Sequence, residues 1–257
     1  MMSSSTVRRP CPQCDRSPRD TALAVTTDER GTVSYCHRCG YTEANNTATA
    51  AAKPVRPKVY RPWRGLAEHL WESSEPLQGS LAARYLQGRG CRLPPADGDL
   101  RHLPARGDYP AAMLARVTDA VTAEPISLHI TRLHPDGTKA GDDAKRLLKG
   151  HRKVGGVIRL WPDDCVTHGL AVAEGIESAL AAAHGFTPIW AAIDAGNLSA
   201  FPVLNGIEAL TLIADHDSTG LEAAEQCARR WANAGREVRI AIPPIAGQDA
   251  ADLMVAA

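Results

Sequence analysis

Gly169-Leu-Ala-Val-Ala-Glu-Gly175 and Ala209-Leu-Thr-Leu-Ile-Ala-Asp-His-Asp217 decide the fold class of this chain. Each is a short run of small or branched apolar residues that ends in acid. Such uninterrupted runs suit strands buried on both faces, not half-exposed ones. Between and after them come helical patterns. Ile176 to Ala183 reads as a helix, and Pro188 to Ile193 as a strand. Residues 219–235 are amphipathic, with Leu221, Ala224, Ala228 and Trp231 on one face, and Gly235 stops them before a fourth strand, Val238 to Ile242. Strands alternating with helices predict an α/β fold: a parallel sheet with flanking helices over 166–257.

In such sheets, sites form at the carboxyl ends of the strands. Glu174, Asp215 and Asp217 stand there, and Asp249 and Asp252 follow the fourth strand. Taken alone, Glu174 could be an ordinary acid at a helix N-terminus, and Asp249 could be a helix cap. Asp215 and Asp217 flank one residue, so in an extended backbone both side chains point the same way. Like charges placed so closely are costly without a cation. Glu174, Asp215 and Asp217 are therefore the candidate catalytic and magnesium-binding residues, with Asp249 as a further magnesium ligand. Ser218 or Thr219 is expected to cap the helix that follows.

Upstream, residues 63–165 read as a basic α+β subdomain. Leu66, Leu70 and Trp71 have helical spacing, as do Leu81, Ala82, Tyr85 and Leu86, whose helix ends at Gly88 and Gly90. Residues 110–117 are read as another short helix. Pro125 to Leu133 is a strand running into the turn His134-Pro-Asp-Gly137, and Val154 to Leu160 is strand-like. From Lys145 to Lys153 there is no acid, so Lys145, Arg146, Lys149, Arg152 and Lys153 form a candidate nucleic-acid or nucleotide-binding stretch. Arg84 and Arg89 are weaker candidates for the same groove.

Residues 44–62, small, polar and proline-containing, read as a linker. Before them, 7–43 carry Cys11-Pro-Gln-Cys14 and Cys36-His-Arg-Cys39 around two β-prone stretches, 22–26 and 32–35. One CxxC pair alone also fits redox chemistry. Two pairs flanking a short hairpin predict a β zinc ribbon with Cys11, Cys14, Cys36 and Cys39 as ligands. His37 is adjacent, but four cysteines already close the shell. Arg8, Arg9, Arg16, Arg19 and Arg38 surround the ribbon and favour nucleic acid as what it touches.

The formal charge is zero but unevenly spread. Residues 1–62 carry ten Lys/Arg against five Asp/Glu, 63–160 carry 15 against 11, and 161–257 carry four against 13. Basic segments can meet phosphate while the acidic one holds cations. No apolar run follows the N-terminus, and none reaches the roughly 18 residues of a membrane span. Seven cysteines, four of them in CxxC pairs, suit a reducing compartment with a metal site and predict a cytoplasmic protein without a membrane partner.

These motifs carry a resemblance. Ala173-Glu174-Gly175 and Asp215-His216-Asp217 resemble the glutamate and DxD motifs of the Toprim domain, and Asp249 its later acidic position. Ala83-Arg-Tyr-Leu-Gln-Gly-Arg-Gly90 and the basic run from Lys145 to Leu160 resemble segments that precede it in bacterial and phage-type DNA primases, particularly those of mobile elements. The resemblance spans most of 9–256. It implies nucleotidyl transfer that makes short RNA primers on a single-stranded DNA template from ribonucleoside triphosphates. It also implies zinc and magnesium (or manganese) as cofactors, and a separate replicative helicase as a partner. The chain departs from the family pattern at Ser178, where many primases have a second acid, with Glu177 one step earlier; it also has no GKS/GKT loop. The same carboxylates would serve a Toprim nuclease, and a zinc-finger/Toprim recombination mediator would keep the fold without catalysis. A topoisomerase would need a nucleophilic tyrosine and a DNA gate that nothing here supplies.

Overall fold

A computed structural model describes residues 5–14, 21–28, 31–37, 39, 41–46 and 59–250. Most of the expected linker, together with Arg16, Arg19, Arg38 and Asp252, lies outside the described residues. The chain forms two compact units, 1–58 and 59–257.

The first unit is an antiparallel sheet in sequence order: β1 (Ser5–Arg9), β2 (Leu23–Asp28), β3 (Gly31–Cys36) and β4 (Thr42–Asn46). The expected hairpin is its centre, with Leu23 opposite Cys36 and Asp28 opposite Gly31. Among the described residues, its buried hydrophobic cluster is Cys11, Leu23 and Cys36, with Cys14, Ala22, Val25 and Tyr41 packed around it. Two of these three residues are cysteines of the four-thiol cluster, where a bound ion would add to the unit's stability.

The second unit opens with α1 (Leu66–Glu72), β5 (Glu75–Pro76) and α2 (Leu81–Gly88). Ser80 caps α2 through its hydroxyl, which accepts from the Ala83 N–H at 3.2 Å. Then come β6 (Leu100–Leu103), β7 (Ala112–Asp119), β8 (Pro125–Arg132), β9 (Lys145–Leu147) and β10 (Gly156–Val157). They make an antiparallel sheet of order β5-β6-β7-β8-β9, with β10 beside β7. The helix expected at 110–117 is instead β7. Ala-Met-Leu-Ala favours helix locally, but β7 lies at the centre of the sheet, pairs with β6 and β8, and is almost wholly buried. The expected strand at 154–160 is shorter than its sequence suggests. Only Gly156 and Val157 join the sheet, and Ile158 bridges to Ala191 instead.

From residue 169 the expected alternation is present: β11 (Gly169–Ala173), α3 (Ile176–Ala182), β12 (Ile189–Ala191), α4 (Ala195–Ala200), β13 (Ala209–Ile213), α5 (Ser218–Asn233) and β14 (Glu237–Ala241). The short helix α4 has no counterpart in the sequence reading, because six residues carry too little periodicity to show. The sheet is wholly parallel, in the order β12-β11-β13-β14. Helices cover both of its faces. Ala179 and Leu180 of α3 belong to one buried cluster, and Leu198 of α4 with Trp231 of α5 to the other. Stacking of Phe201 on Trp231, with centroids 5.9 Å apart, helps fill the second cluster.

Candidate functional site

The parallel order brings the carboxyl ends of all four strands to one edge. Glu174 follows β11 directly, Asp215 comes two residues after β13, Asp194 three after β12, and Asp249 lies on the segment after β14. That last segment is tied to the Asp215 turn by His216. The His216 N–H donates to the Gln248 carbonyl at 2.9 Å, and the Gly247 N–H donates back to the His216 carbonyl at 2.7 Å. The Pro243 carbonyl can only accept, so His216 Nδ1 is the protonated ring nitrogen in their 2.7 Å hydrogen bond.

Asp215 and Asp217 do not stand on an extended strand, because β13 ends at Ile213. The Asp217 N–H closes a tight turn onto the Asp215 carbonyl at 2.9 Å. Asp217, not Ser218 or Thr219, caps α5: its Oδ1 accepts from the Gly220 N–H at 2.8 Å. Gly220 is required here, since a Cβ would lie 2.7 Å from the Asp215 carbonyl oxygen. Asp215 thus faces the cavity while Asp217 is an exposed helix cap beside it. The Ser178 hydroxyl is 3.4 Å from Asp215 Oδ1.

The cavity holds about 600 Å³. Glu174, Glu177, Asp215 and Asp249 line it, with Asp136 from the hairpin turn, and Arg84, Arg89, Lys139 and Lys145 supply its cations. α2 brings the two arginines. The hairpin turn brings Lys139, and its Gly137, at φ +87°, packs within reach of Leu81. Ile193 also lines the cavity at φ 78°, a strained conformation for a β-branched residue at a strand end.

The basic candidates divide in a way their spacing does not show. The two arginines of α2 and Lys145 reach the cavity; Arg146, Lys149, Arg152 and Lys153 do not line it. Four of the five residues in the basic run are ion-paired: Lys145 with Glu177 (2.8 Å), Arg146 with Asp143 (3.2 Å), Arg152 with Asp119 (2.5 Å) and Lys153 with Asp194 (2.6 Å). Among the described residues, Lys149 has no carboxylate within ion-pair distance. Sequence reasoning missed Asp194 and Lys139. Asp194 sits at the end of a strand run and caps α4 by accepting from Asn197 at 2.9 Å, a signal the strand pattern could have yielded.

Half-burial, then the charges of Asp215, Asp217 and Asp194, push the Glu174 carboxyl up to about 7, against which the Ala195 N–H acts weakly. The folded protein therefore holds a proton on Glu174 that the unfolded chain releases nearer its usual pH. Stability from this group is lost as pH rises from about 4.5 to about 7. In metal-free buffer, Glu174→Gln is expected to raise the thermal midpoint at pH 8 and leave it unchanged at pH 4.5. Equal shifts at both pH values would rule out this electrostatic account.

Glu174, Asp215 and Asp249 suit a hard cation by donor type. They do not form a closed cage: among the described residues, only the four cysteines bring three or more donor atoms within 4.8 Å of one another. An open set of this kind fits magnesium, which keeps several waters and completes its shell with phosphate oxygens. The cysteine cluster is closed. Cys11 and Cys39 Sγ are 3.7 Å apart, and Cys14 and Cys36 Sγ 3.8 Å. Zn–S bonds of ~2.3 Å arranged tetrahedrally require sulfur separations of about 3.8 Å. His37 is outside the cluster and packs edge-on against Tyr35, with centroids 5.0 Å apart.

A family model for the Toprim domain matches residues 169–257, and one for a domain of unknown function, DUF7146, matches 61–160. Residues 169–257 thus match a Toprim domain, and the N-terminal unit carries a four-cysteine, metal-type module. Among solved structures, the chain is similar to the primase fragment of the bacteriophage T7 primase-helicase protein (18% identity, 98% of this chain and 95% of that one, TM-score 0.47). It is also similar to the zinc-binding and RNA polymerase domains of the Aquifex aeolicus primase (14% identity, 97% and 75%, TM-score 0.48). A third is a DNA primase domain from Pseudomonas aeruginosa (16% identity, 71% and 59%, TM-score 0.40). No curated protein matches the sequence. Among the described residues, no helix is long and apolar enough to cross a membrane.

Proposed function

We propose that this protein is a DNA primase, joining ribonucleoside triphosphates into short primers on single-stranded DNA. The observation that carries the reading is the cavity itself. Acids from three strand ends face it together with four cations from α2, the hairpin turn and β9, in the arrangement a metal-bound triphosphate needs. Glu174, Asp215 and Asp249 would hold magnesium, with Asp217 adding its charge from the helix cap. Bound there, the ion supplies charge neutralisation for the reacting phosphates. Arg84, Arg89, Lys139 and Lys145 bind and orient the triphosphate oxygens. Glu174 either shares in holding the ion or, left free of it, takes the proton that leaves a 3′-hydroxyl. Cys11, Cys14, Cys36 and Cys39 hold one zinc ion, and the ribbon's arginines meet the template.

The test is incubation with a library of single-stranded DNA, all four ribonucleotides and magnesium, read by product length. Primers on some templates are expected. No incorporation on any template, with manganese as well, overturns the proposal. DNA cleavage without incorporation identifies a nuclease, and tight DNA binding without either reaction a recombination mediator.

The basic run is expected to track template. Replacing Lys149, Arg152 and Lys153 by alanine should weaken single-stranded DNA binding and flatten its salt dependence by about 0.7 in log–log slope for each phosphate no longer neutralised. A filter-binding titration with unchanged slope and affinity would remove this stretch from the interface.

A further inference from the structure

Lys145 lines the same cavity as Glu174, Asp215 and Asp249, and its ammonium lies 2.8 Å from Oε2 of another lining acid, Glu177. Glu177 is 6% exposed, and its Oε1 accepts from the Tyr85 hydroxyl at 2.7 Å. Burial alone would raise its proton affinity; Lys145 and Tyr85 together hold it below its ordinary value. Both oxygens are thus engaged by donors from separate elements, β9 and α2. Glu177 is one residue short of the position where the family pattern has an acid. One residue on a helix is a turn of about 100°, so Ser178, not Glu177, meets Asp215.

A lysine in a cavity lined by five carboxylates is itself a resident cation. Its flexible stem lets the ammonium settle on whichever acid attracts it most. Unless it is held elsewhere, it neutralises the acids meant for a divalent ion. We propose that Glu177 is a positioning residue: it holds Lys145 away from Glu174 and Asp215, leaving those acids to a divalent cation and the ammonium to the phosphates of a nucleoside triphosphate. A buried acid does this well, because breaking the pair would leave its own charge desolvated and unmatched. This rests on the metal-carboxylate reading above and adds the device that keeps the site open.

The experiment measures Mn²⁺ binding by electron paramagnetic resonance on the full chain without nucleotide, and separately the affinity for a non-hydrolysable nucleoside triphosphate. Four proteins are compared: wild type, Glu177→Gln, Lys145→Met and the double variant. Glu177→Gln keeps the shape and the Tyr85 hydrogen bond but frees Lys145 to compete, so Mn²⁺ affinity should fall about tenfold, the effect of one added unit charge nearby. Lys145→Met should bind Mn²⁺ at least as tightly as wild type and the triphosphate less tightly. The double variant should regain wild-type Mn²⁺ affinity, a rescue that a merely structural Glu177 would not allow. Unchanged Mn²⁺ binding in Glu177→Gln, or a double variant as weak as Glu177→Gln, overturns the proposal. If Glu177→Gln does not fold, the double variant, which buries neither charge, decides: wild-type Mn²⁺ affinity with weakened triphosphate binding upholds the proposal, and loss of Mn²⁺ affinity overturns it. A wild type that binds no Mn²⁺ overturns the metal reading itself, and with it this inference.

Discussion

Asp215→Ala is expected to abolish magnesium-dependent ribonucleotide incorporation, by roughly a thousandfold or more, on the order of 4 kcal/mol of barrier. Asp215 is the DxD acid that faces the cavity, whereas Asp217 is engaged with the Gly220 N–H. Asp217→Ala should therefore act differently. It removes a helix cap, costing about 1 kcal/mol of stability, and affects the site only through its charge on Glu174. Single-stranded DNA binding should survive both changes, because Lys149, Arg152 and Lys153, the residues expected to track template, do not line the cavity. Metal-free Asp215→Ala should melt no lower than wild type at pH 8, since it relieves repulsion of Glu174. Primer synthesis assays and thermal melts on the same preparations separate these effects. Equal loss of incorporation in both variants would mean that both acids ligate the ion directly.

Cys36→Ser is expected to release zinc and unfold the first unit while leaving 59–257 intact. Among the described residues the buried hydrophobic cluster of that unit is three residues, two of them cysteines of the metal-type site. Structural zinc contributes about 10–16 kcal/mol in small modules of this type, far more than Leu23 and its neighbours supply. Wild-type protein should contain about one zinc per chain by elemental analysis. Hydrogen exchange should show lost protection over 5–46 in the variant and none lost over the parallel sheet, which has buried clusters of its own. Retention of zinc by Cys36→Ser, or four freely labelled thiols in native wild type, would rule out the four-cysteine site.

Much of this was legible in the sequence because the signals are local. Two CxxC pairs bring four thiols onto two tight turns. Leu170-Ala-Val-Ala173 is unbroken apolar and Leu210-Thr-Leu-Ile213 nearly so, a character that suits a doubly covered strand. The errors occur where neighbours in space override neighbours in sequence. Ala112-Met-Leu-Ala115 reads as helix until β6 and β8 pair with it from either side. The Asp215 turn reads as strand until Gly220 packs against its backbone and α5 takes Asp217 as its cap.

The sequence by itself determined the alternation of strand and helix, the acids at strand ends and the four thiols, because periodicity and short-range spacing encode each of these. Only the tertiary structure decided which acids share a cavity and which cations are already matched. Lys145 to Lys153 looks like one positive patch on paper, yet its charges meet Glu177, Asp143, Asp119 and Asp194, which lie as few as three and as many as 41 residues away. Arg84 and Arg89, seemingly remote, line the same cavity as the carboxylates. Electrostatic attraction falls with distance in space and is indifferent to distance along the chain. The charge state of this site was therefore not readable until the chain had folded.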